Sequence, residues 1–322
     1  MESIGSGLAA LDHEGHRADV YLDRPAKRNA MNRALIADLT QAIRRVDADQ
    51  DVRAVTILGR GEVLSAGMDL GMMRASDRAT HREIHAELRG LFDAIDELSK
   101  PSVVGIERAA PAGAFELTLP ADFRILGEDA TYGVIEVELG IFPHGGTTQR
   151  LPRLIGLAKA KEMVLTGEFI DPEEADRINL VTEVRPDDAV DERAREFAGD
   201  LCEKAPLGTQ RALAALDKAF DVPLDAGLRG LRRSGGRRRP CLRRSIGRRA
   251  RRRAVSRGGP LRDARPGGGV RGADGEARSR IRGAIAGDDT EAKAGQSSAD
   301  ACWSRVASSP FTSTSRPPTS SR

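Results

Sequence analysis

The residues best suited to chemistry lie in one short stretch, from Ala110 to Asp122. The apolar run before it, residues 102–106, indicates a buried strand. Small residues around Gly113 then lead into a helical segment, where they let the backbone approach a ligand closely. Unpaired N–H groups at the start of a helix can stabilise a developing negative charge. Glu116 follows within one helical turn, so the stretch predicts acid–base chemistry on a carbonyl compound.

A second junction of the same kind follows the predicted strand 52–58. Residues 64–70 are rich in small side chains, and Met68 presents its backbone N–H directly after Gly67. Such a junction is a candidate for a second anion-stabilising amide. Taken alone, each junction is better explained as an ordinary strand–turn–helix connection.

Further charged residues could act on a substrate. Glu136 and Glu138 stand in an apolar run, where an acid either lies on a solvated strand face or has a function. Lys27 and Arg28 follow Pro25 in a loop and could meet phosphates. Two basic residues in an exposed loop more often serve solubility alone.

Hydrophobic periodicity predicts the elements that position these residues. The units repeat as strand, small-residue turn and helix, which favours an α/β layered domain with ligand groups at the turns. Asn32 is a suitable cap for the first helix, whose apolar side chains recur on one face. The predicted strands are 8–13, 17–23, 52–58, 102–106, 123–126 and 180–184, and the main predicted helices are 33–48, 77–98, 157–166, 172–178, 187–204 and 206–221.

The net charge of +3 conceals two oppositely charged parts. Residues 1–228 carry 27 Lys and Arg against 41 Asp and Glu, whereas residues 229–322 carry 24 basic residues against 7 acidic ones. Of those 24 basic residues, 23 are Arg. The second part is also rich in Gly, Ser and Pro, and it has too few apolar residues to offset its ordering entropy. We therefore predict a folded domain over 1–228 and a disordered tail over 229–322.

Two interpretations of the tail stay open. The abrupt change to Arg favours translation in a shifted reading frame of a GC-rich gene, beginning near residues 227–231. The alternative is a genuine Arg-rich arm that binds nucleic acid, but the tail has no recognisable motif and few aromatic residues. On this balance the sequence does not favour nucleic acid as a partner.

Other features exclude several classes of protein. The three cysteines, Cys202, Cys241 and Cys302, have no metal-ligand spacing, so no metal site is expected. Residues 1–22 contain acids and no long apolar run, which argues against a secretory signal. No stretch approaches the roughly 18 apolar residues of a membrane span. We expect a cytoplasmic protein without a membrane partner.

Four separate stretches resemble the crotonase superfamily, the enoyl-CoA hydratases and isomerases. Their order and spacing are specific, and the resemblance covers residues 8–228. The motifs are Arg24-Pro25 with Asn29-Ala30-Met31-Asn32; Ser65-Ala66-Gly67-Met68-Asp69-Leu70; Ala112-Gly113-Ala114-Phe115-Glu116-Leu117; and Tyr132-Gly133, Glu136, Leu139-Gly140, Pro143, Gly145-Gly146 and Gln149-Arg150-Leu151.

The resemblance implies a crotonase-like spiral of β-β-α units, acyl-CoA thioester substrates and a homotrimer or hexamer. It implies no cofactor, because coenzyme A is part of the substrate. Met68 and Gly113 would supply the two N–H groups of the oxyanion hole, and Glu116 and Glu136 would be the catalytic acids. Substrate-binding positions would be Lys27, Arg28, Ala30, Ser65, Ala66, Asp69 and Leu70.

Retention of both acids favours a hydratase that adds water across the 2,3 double bond of a 2-enoyl-CoA. An enoyl-CoA double-bond isomerase is the nearest alternative, since many isomerases of the family keep only one acid. The tail replaces the C-terminal helices that cover the acyl pocket in the family. A catalytically impaired acyl-CoA binder is therefore a third interpretation, beside nucleic-acid binding through the tail. Glu138 and His144 are further ionisable groups near the second acid without an assigned role.

Overall fold

The computed structural model describes residues 1–234. They belong to two units, one described over residues 1–221 and the other over residues 222–234. The strands are β1 Glu2–Ile4, β2 Ala9–Glu14, β3 Arg17–Leu22, β4 Ala54–Gly59, β5 Ser102–Ile106, β6 Ala109–Pro111, β7 Phe123–Gly127, β8 Thr131–Gly133, β9 Phe169–Ile170 and β10 Glu183–Arg185. The helices are α1 Arg33–Ala48, α2 Leu70–Ala75, α3 Arg78–Asp96, α4 Gly113–Thr118, α5 Thr147–Ile155, α6 Leu157–Thr166, α7 Pro172–Arg177, α8 Val190–Cys202, α9 Pro206–Leu216 and α10 Leu224–Ser234.

Two sheets organise the first unit. The larger has seven strands in the order β1-β2-β3-β4-β5-β7-β10, antiparallel up to β3 and parallel from there on. The smaller has the order β6-β8-β9. Strand β5 lies beside β7 in the first sheet and β6 beside β8 in the second, both in parallel. The consecutive strands β5 and β6 therefore lie beside the consecutive strands β7 and β8. A helical segment follows each of these two pairs.

Helices cover both faces of the larger sheet. Helices α1 and α3 pack on one face, where Leu39 and Phe92 belong to the main core. Helix α8 packs on the other face through Ala194, Ala198 and Cys202. Because side chains alternate along a strand, neighbouring residues of one strand enter different cores. A parallel sheet covered on both faces explains the continuous apolar runs of its strands.

The local signals for the long helices are confirmed. The Asn32 side chain accepts a hydrogen bond from the N–H of Leu35 and caps α1, as the sequence predicts. Asp77 caps α3 in the same way through Thr80. Burial of one apolar face holds each helix on the sheet, since isolated helices of this length are marginal in water.

Several predicted boundaries differ from the structure. The predicted helix 206–221 ends at Leu216, and a separate helix, α10, begins at Leu224. The predicted strand 180–184 is β10, Glu183–Arg185. The predicted tail, residues 229–322, lies outside the described residues except for its first six, which continue α10 to Ser234. Within residues 1–234, no helix is both long and apolar enough to cross a membrane.

Candidate active site

The segment around Met68 lies between two neighbouring backbones. On one side Met31 donates its N–H to the Gly67 carbonyl at 2.8 Å and accepts from the N–H of Asp69 at 2.9 Å. This pattern is a parallel bridge, in which the intervening residue directs its own N–H away from the partner. On the other side, the N–H of Ser65 donates to the Ala109 carbonyl. The Met68 amide therefore points away from Met31, in a segment that also bonds the strand before α4.

Gly113 opens α4 beside this segment. A Cβ atom on Gly113 would lie 3.1 Å from Cγ of Met68 and 3.6 Å from Cε of Met31, so the glycine and Met68 are in direct contact. Ala112, just before it, adopts φ 49° and turns the chain sharply into the helix. Among residues 1–234, the N–H groups of Met68 and Gly113 donate no hydrogen bond to a protein acceptor. Two amides that donate to no protein acceptor therefore belong to segments that touch through the Met68 side chain.

Glu116 is held on the same helix, one turn beyond Gly113. Its carboxylate is 4% exposed, and Oε1 accepts hydrogen bonds from the N–H of Gly145 at 2.8 Å and from the hydroxyl of Thr147 at 3.0 Å. Burial raises the pKa of Glu116, while these two donors favour the ionised form. The hydrogen bonds also fix the direction of the carboxylate.

Glu136 lies in a different environment. It opens a short 3-10 turn, Glu136–Leu139, and is also 4% exposed. Both carboxyl oxygens are buried without a hydrogen-bond partner among the described residues. Burial, followed by repulsion from Glu116, raises the pKa of Glu136 to about 8. The two carboxyl groups therefore differ in environment: only Glu116 has hydrogen bonds that favour its ionised form, and a pKa of about 8 keeps Glu136 protonated at neutral pH.

Ser65 and Asn29 fix the loops that present Met68. The Ser65 hydroxyl donates to the Asn29 carbonyl and accepts from the N–H of Gly67, and both side chains are fully buried. The Asn29 side chain donates to the carbonyls of Arg60 and Val63. The predicted substrate-binding residue Ser65 thus has its hydroxyl engaged in the protein, where it positions the loop.

The remaining predicted binding residues flank the same junction. The N–H of Ala66 donates to the Arg28 carbonyl, which keeps the Lys27–Arg28 loop beside it. Lys27 is exposed, whereas Arg28, Ala30, Ala66 and Leu70 are half-buried. Asp69 caps α2 through the N–H of Met72 and forms an ion pair of 2.6 Å with Arg24. The structure therefore brings the predicted binding residues together around Met68.

Sequence reasoning missed the residues that support Glu116. Gly145 and Thr147 lie 29 and 31 residues further along the chain. A Cβ atom on Gly145 would lie only 2.2 Å from Cε2 of Phe92 and 3.0 Å from Cδ of Glu116, so only glycine fits there. The available signal was the motif Gly145-Gly146-Thr147 before a helix, which places amide and hydroxyl donors together.

The two unassigned residues differ in position. Glu138 is exposed, so it lies outside the buried acid pair. His144 is half-buried next to Gly145 and stacks on His85. Among the described residues, no group of three or more His, Cys, Asp or Glu side chains could hold a metal ion.

Comparisons with known proteins identify the family. Residues 14–233 match the family model described as enoyl-CoA hydratase/isomerase. A probable enoyl-CoA hydratase 2 of Arabidopsis thaliana is 38% identical over 213 residues, which is 65% of this chain and 70% of that protein. The 2,3-dehydroadipyl-CoA hydratase of Escherichia coli is 35% identical over 64% of this chain and 80% of its own length.

Solved structures give the same result for the fold. An enoyl-CoA hydratase of Bacillus anthracis superposes with a TM-score of 0.69 and 31% identity, covering 71% of this chain and 89% of the other. A second enoyl-CoA hydratase, from Geobacillus kaustophilus, superposes with a TM-score of 0.67 and 30% identity over 71% of this chain and 88% of the other. The expected crotonase-like fold is confirmed, and the chain belongs to the enoyl-CoA hydratase/isomerase family.

Proposed function

We propose that the chain hydrates a 2-enoyl-CoA thioester, with Glu116 and Glu136 as the catalytic acids. The main support is the contrast between the two buried carboxyl groups. Glu116 has two hydrogen-bond donors on one oxygen, whereas Glu136 has no donor within residues 1–234 and carries a pKa of about 8. A neighbouring base and acid of this kind suit addition of water across a double bond.

The proposed reaction uses each group once. Glu116, ionised, takes a proton from water as the oxygen attacks C3 of the enoyl group. Glu136, protonated, delivers its proton to C2, so that H and OH are added in total. Glu116 then holds a proton that Glu136 lacks, and exchange with solvent restores the starting state.

The amides of Met68 and Gly113 complete the proposal. As the bond to C3 forms, negative charge accumulates on the thioester oxygen, and two N–H donors there lower the barrier. Loss of one such donor typically costs about 2.7–4 kcal/mol in the activation free energy. Both amides lack an acceptor among residues 1–234 and belong to neighbouring segments, which supports this role. Lys27 and Arg28 are the proposed contacts to the phosphates of coenzyme A.

Substitution of the acids tests the proposal. Glu116→Gln and Glu136→Gln should each lower kcat about 10²–10⁴-fold, the range for a lost general acid or base. The measurement is the loss of 2-enoyl absorbance on hydration of a short enoyl-CoA. Glu138→Gln is the matched control, because Glu138 is exposed on the same 3-10 turn and should retain full activity. Full activity in either of the first two variants would contradict the assignment.

Double-bond isomerisation is the second candidate, because Glu136 is the acid without a hydrogen bond and one such group can carry a proton between carbons. A relative from Mycosarcoma maydis that is 34% identical carries the name enoyl-CoA isomerase/hydratase. An isomerase should convert a 3-enoyl-CoA to the 2-enoyl isomer and tolerate Glu116→Gln. Loss of both activities in that variant would favour the hydratase.

We also propose a homotrimer or hexamer, on the resemblance to the family alone. Light scattering of the full chain tests this assembly. A monomer that binds acyl-CoA without turnover would instead support the impaired acyl-CoA binder.

A further inference from the structure

Two stacked histidines lie next to the acid pair and have no part in the proposed reaction. The ring centroids of His85 and His144 are 4.4 Å apart, with 28° between the ring planes. Nδ1 of His85 is buried and has no hydrogen-bond partner among residues 1–234. A buried polar atom without a partner is costly, so this nitrogen marks a position suited to a hydrogen-bonding ligand group.

The histidine pair lies close to Glu116 along the chain and through contacts of one loop. His144 directly precedes Gly145, whose N–H binds Glu116. The close approach of Gly145 to Phe92 places the same loop against α3. Phe92 and His85 are seven residues apart on one face of α3, which is about 10 Å along the helix. The stacked pair therefore lies about two helical turns along α3 from the contact between Phe92 and the loop that binds Glu116.

Helix α2, which follows Met68, also contacts α3. Helix α2 begins two residues after Met68, and its Met73 carbonyl hydrogen-bonds Nε2 of His81 at 2.8 Å. His81 lies one helical turn before His85 on α3. The N-terminal half of α3 therefore extends from the segment of Met68 to the loop of His144, and His85 stands between them.

The charge around the pair favours an anion. Arg89 lies one turn beyond His85 on α3 and acts electrostatically on both imidazoles. Glu83 and Glu87 of the same helix are engaged by Arg33. A metal ion is not the expected occupant, since face-to-face rings do not converge their nitrogens on one point.

We propose that His85 and His144 bind a carboxylate at the far end of the acyl chain, with the Nδ1–H of His85 as the central donor. This inference rests on the proposed function and adds the substrate class, ω-carboxy-2-enoyl-CoA thioesters. The family itself does not set the acyl group, because its members are named for different acyl chains. The shared coenzyme A moiety would bind at the Met68 junction.

Equilibrium binding tests the inference without requiring turnover. The probes are saturated acyl-CoA thioesters of six, eight and ten carbons, each with and without a terminal carboxylate, titrated into the full chain by calorimetry. At the best-fitting length, the carboxylate should tighten binding about ten- to hundredfold, the effect of a hydrogen bond to a charged group. Failure of all thioesters to bind would contradict the proposed function as well. Equal binding with and without the carboxylate at every length would overturn this inference alone.

Variants then assign the effect to the histidines. His85→Phe keeps an aromatic ring for stacking but removes the donor, so the preference for the carboxylate should fall to near unity while the alkyl thioester binds as before. His144→Phe should shift the preference in the same direction, and His85→Gln should restore part of it. His13→Phe, at an exposed position near the end of β2, is the matched control. An unchanged preference in both His85→Phe and His144→Phe would overturn the proposal.

Discussion

At the scale of single residues, the proposed function depends on the environments of two glutamates. Glu116 and Glu136 are equally buried, yet one has two donors and the other none. The difference arises from the loop 144–147, which reaches Glu116 and leaves Glu136 in apolar surroundings. Sequence motifs predicted both acids, but they could not predict this contrast because it depends on contacts about 30 residues apart.

The first residue-scale prediction concerns the pH dependence of activity. In the proposed reaction Glu136 is protonated when it delivers a proton to C2, and its pKa is about 8. We expect kcat/KM to fall as pH rises through about 8, up to about tenfold per pH unit beyond it. Initial rates with a short enoyl-CoA from pH 6 to 10 give the profile. Glu138→Gln should show the same profile, and a flat profile across this range would contradict the role of Glu136.

The second residue-scale prediction concerns stability. The pKa of Glu136 rises from 4.5 in the unfolded chain to about 8 in the fold, so between these values the folded state holds a proton that the unfolded state releases. The free energy of unfolding therefore falls as pH rises from 4.5 to 8, by up to about 1.4 kcal/mol per unit. Glu136→Gln has no carboxyl group to titrate in this range. Its free energy of unfolding should therefore fall less with rising pH than that of the natural protein. Urea unfolding at pH 5 and pH 8.5 measures the difference in unfolding free energy between the variant and the natural protein. The same difference at both pH values would contradict the prediction.

At the scale of elements, close contacts between segments hold the site. Helix α1 could be predicted to its cap because Asn32 and the apolar face lie within the helix itself. The 3-10 turn Glu136–Leu139 could not, because the segment reads as an apolar run and only the fold shows which acid is buried. Likewise, the contact of Gly145 with Phe92 joins segments that are 53 positions apart.

A pair of glycine substitutions tests this contact. Gly145→Ala places a Cβ within 2.2 Å of Phe92, so the loop or α3 must shift. We expect a loss of about 1–3 kcal/mol in the free energy of unfolding, and a fall in kcat because Glu116 loses its donor. Gly90→Ala is the control, since nothing lies within 4 Å of its Cβ in the middle of α3. It should stabilise the protein by about 0.5–1 kcal/mol and keep activity. Equal effects of both substitutions on unfolding would contradict the packing argument.

At the scale of the whole molecule, repeated strand pairs place the candidate catalytic residues after strands of the smaller sheet. The chain passes from β5 to β6 and then to α4, which carries Gly113 and Glu116. It passes in the same order from β7 to β8 and then to the turn that carries Glu136. Strand β5 pairs with β7 and β6 pairs with β8, both in parallel. The segments that follow β6 and β8 are therefore neighbours, which brings the two acids together although 20 residues separate them. This repetition explains how the fold produces an acid pair from separate motifs.

Charge is divided along the chain, and this division yields a prediction for the molecule as a whole. Residues 1–234 contain 30 Lys and Arg against 41 Asp and Glu, so the excess of positive charge lies entirely in residues 235–322. Deleting 235–322 leaves the described residues intact and reverses the sign of the net charge. We expect the full chain to bind a polyanion such as heparin at low salt and the shortened chain not to bind.

Salt dependence separates simple charge attraction from a specific nucleic-acid site. Binding through Arg alone releases counterions, so the logarithm of the affinity should fall linearly with the logarithm of the salt concentration. The full chain should then bind heparin and unrelated DNA sequences with similar affinity, because the tail has no recognition motif. Titrations at several salt concentrations with two DNA sequences measure both properties. A strong preference for one DNA sequence would show that a specific motif takes part. Undiminished binding by residues 1–234 would show that the acidic domain takes part. In either case the division of charge would not explain the interaction.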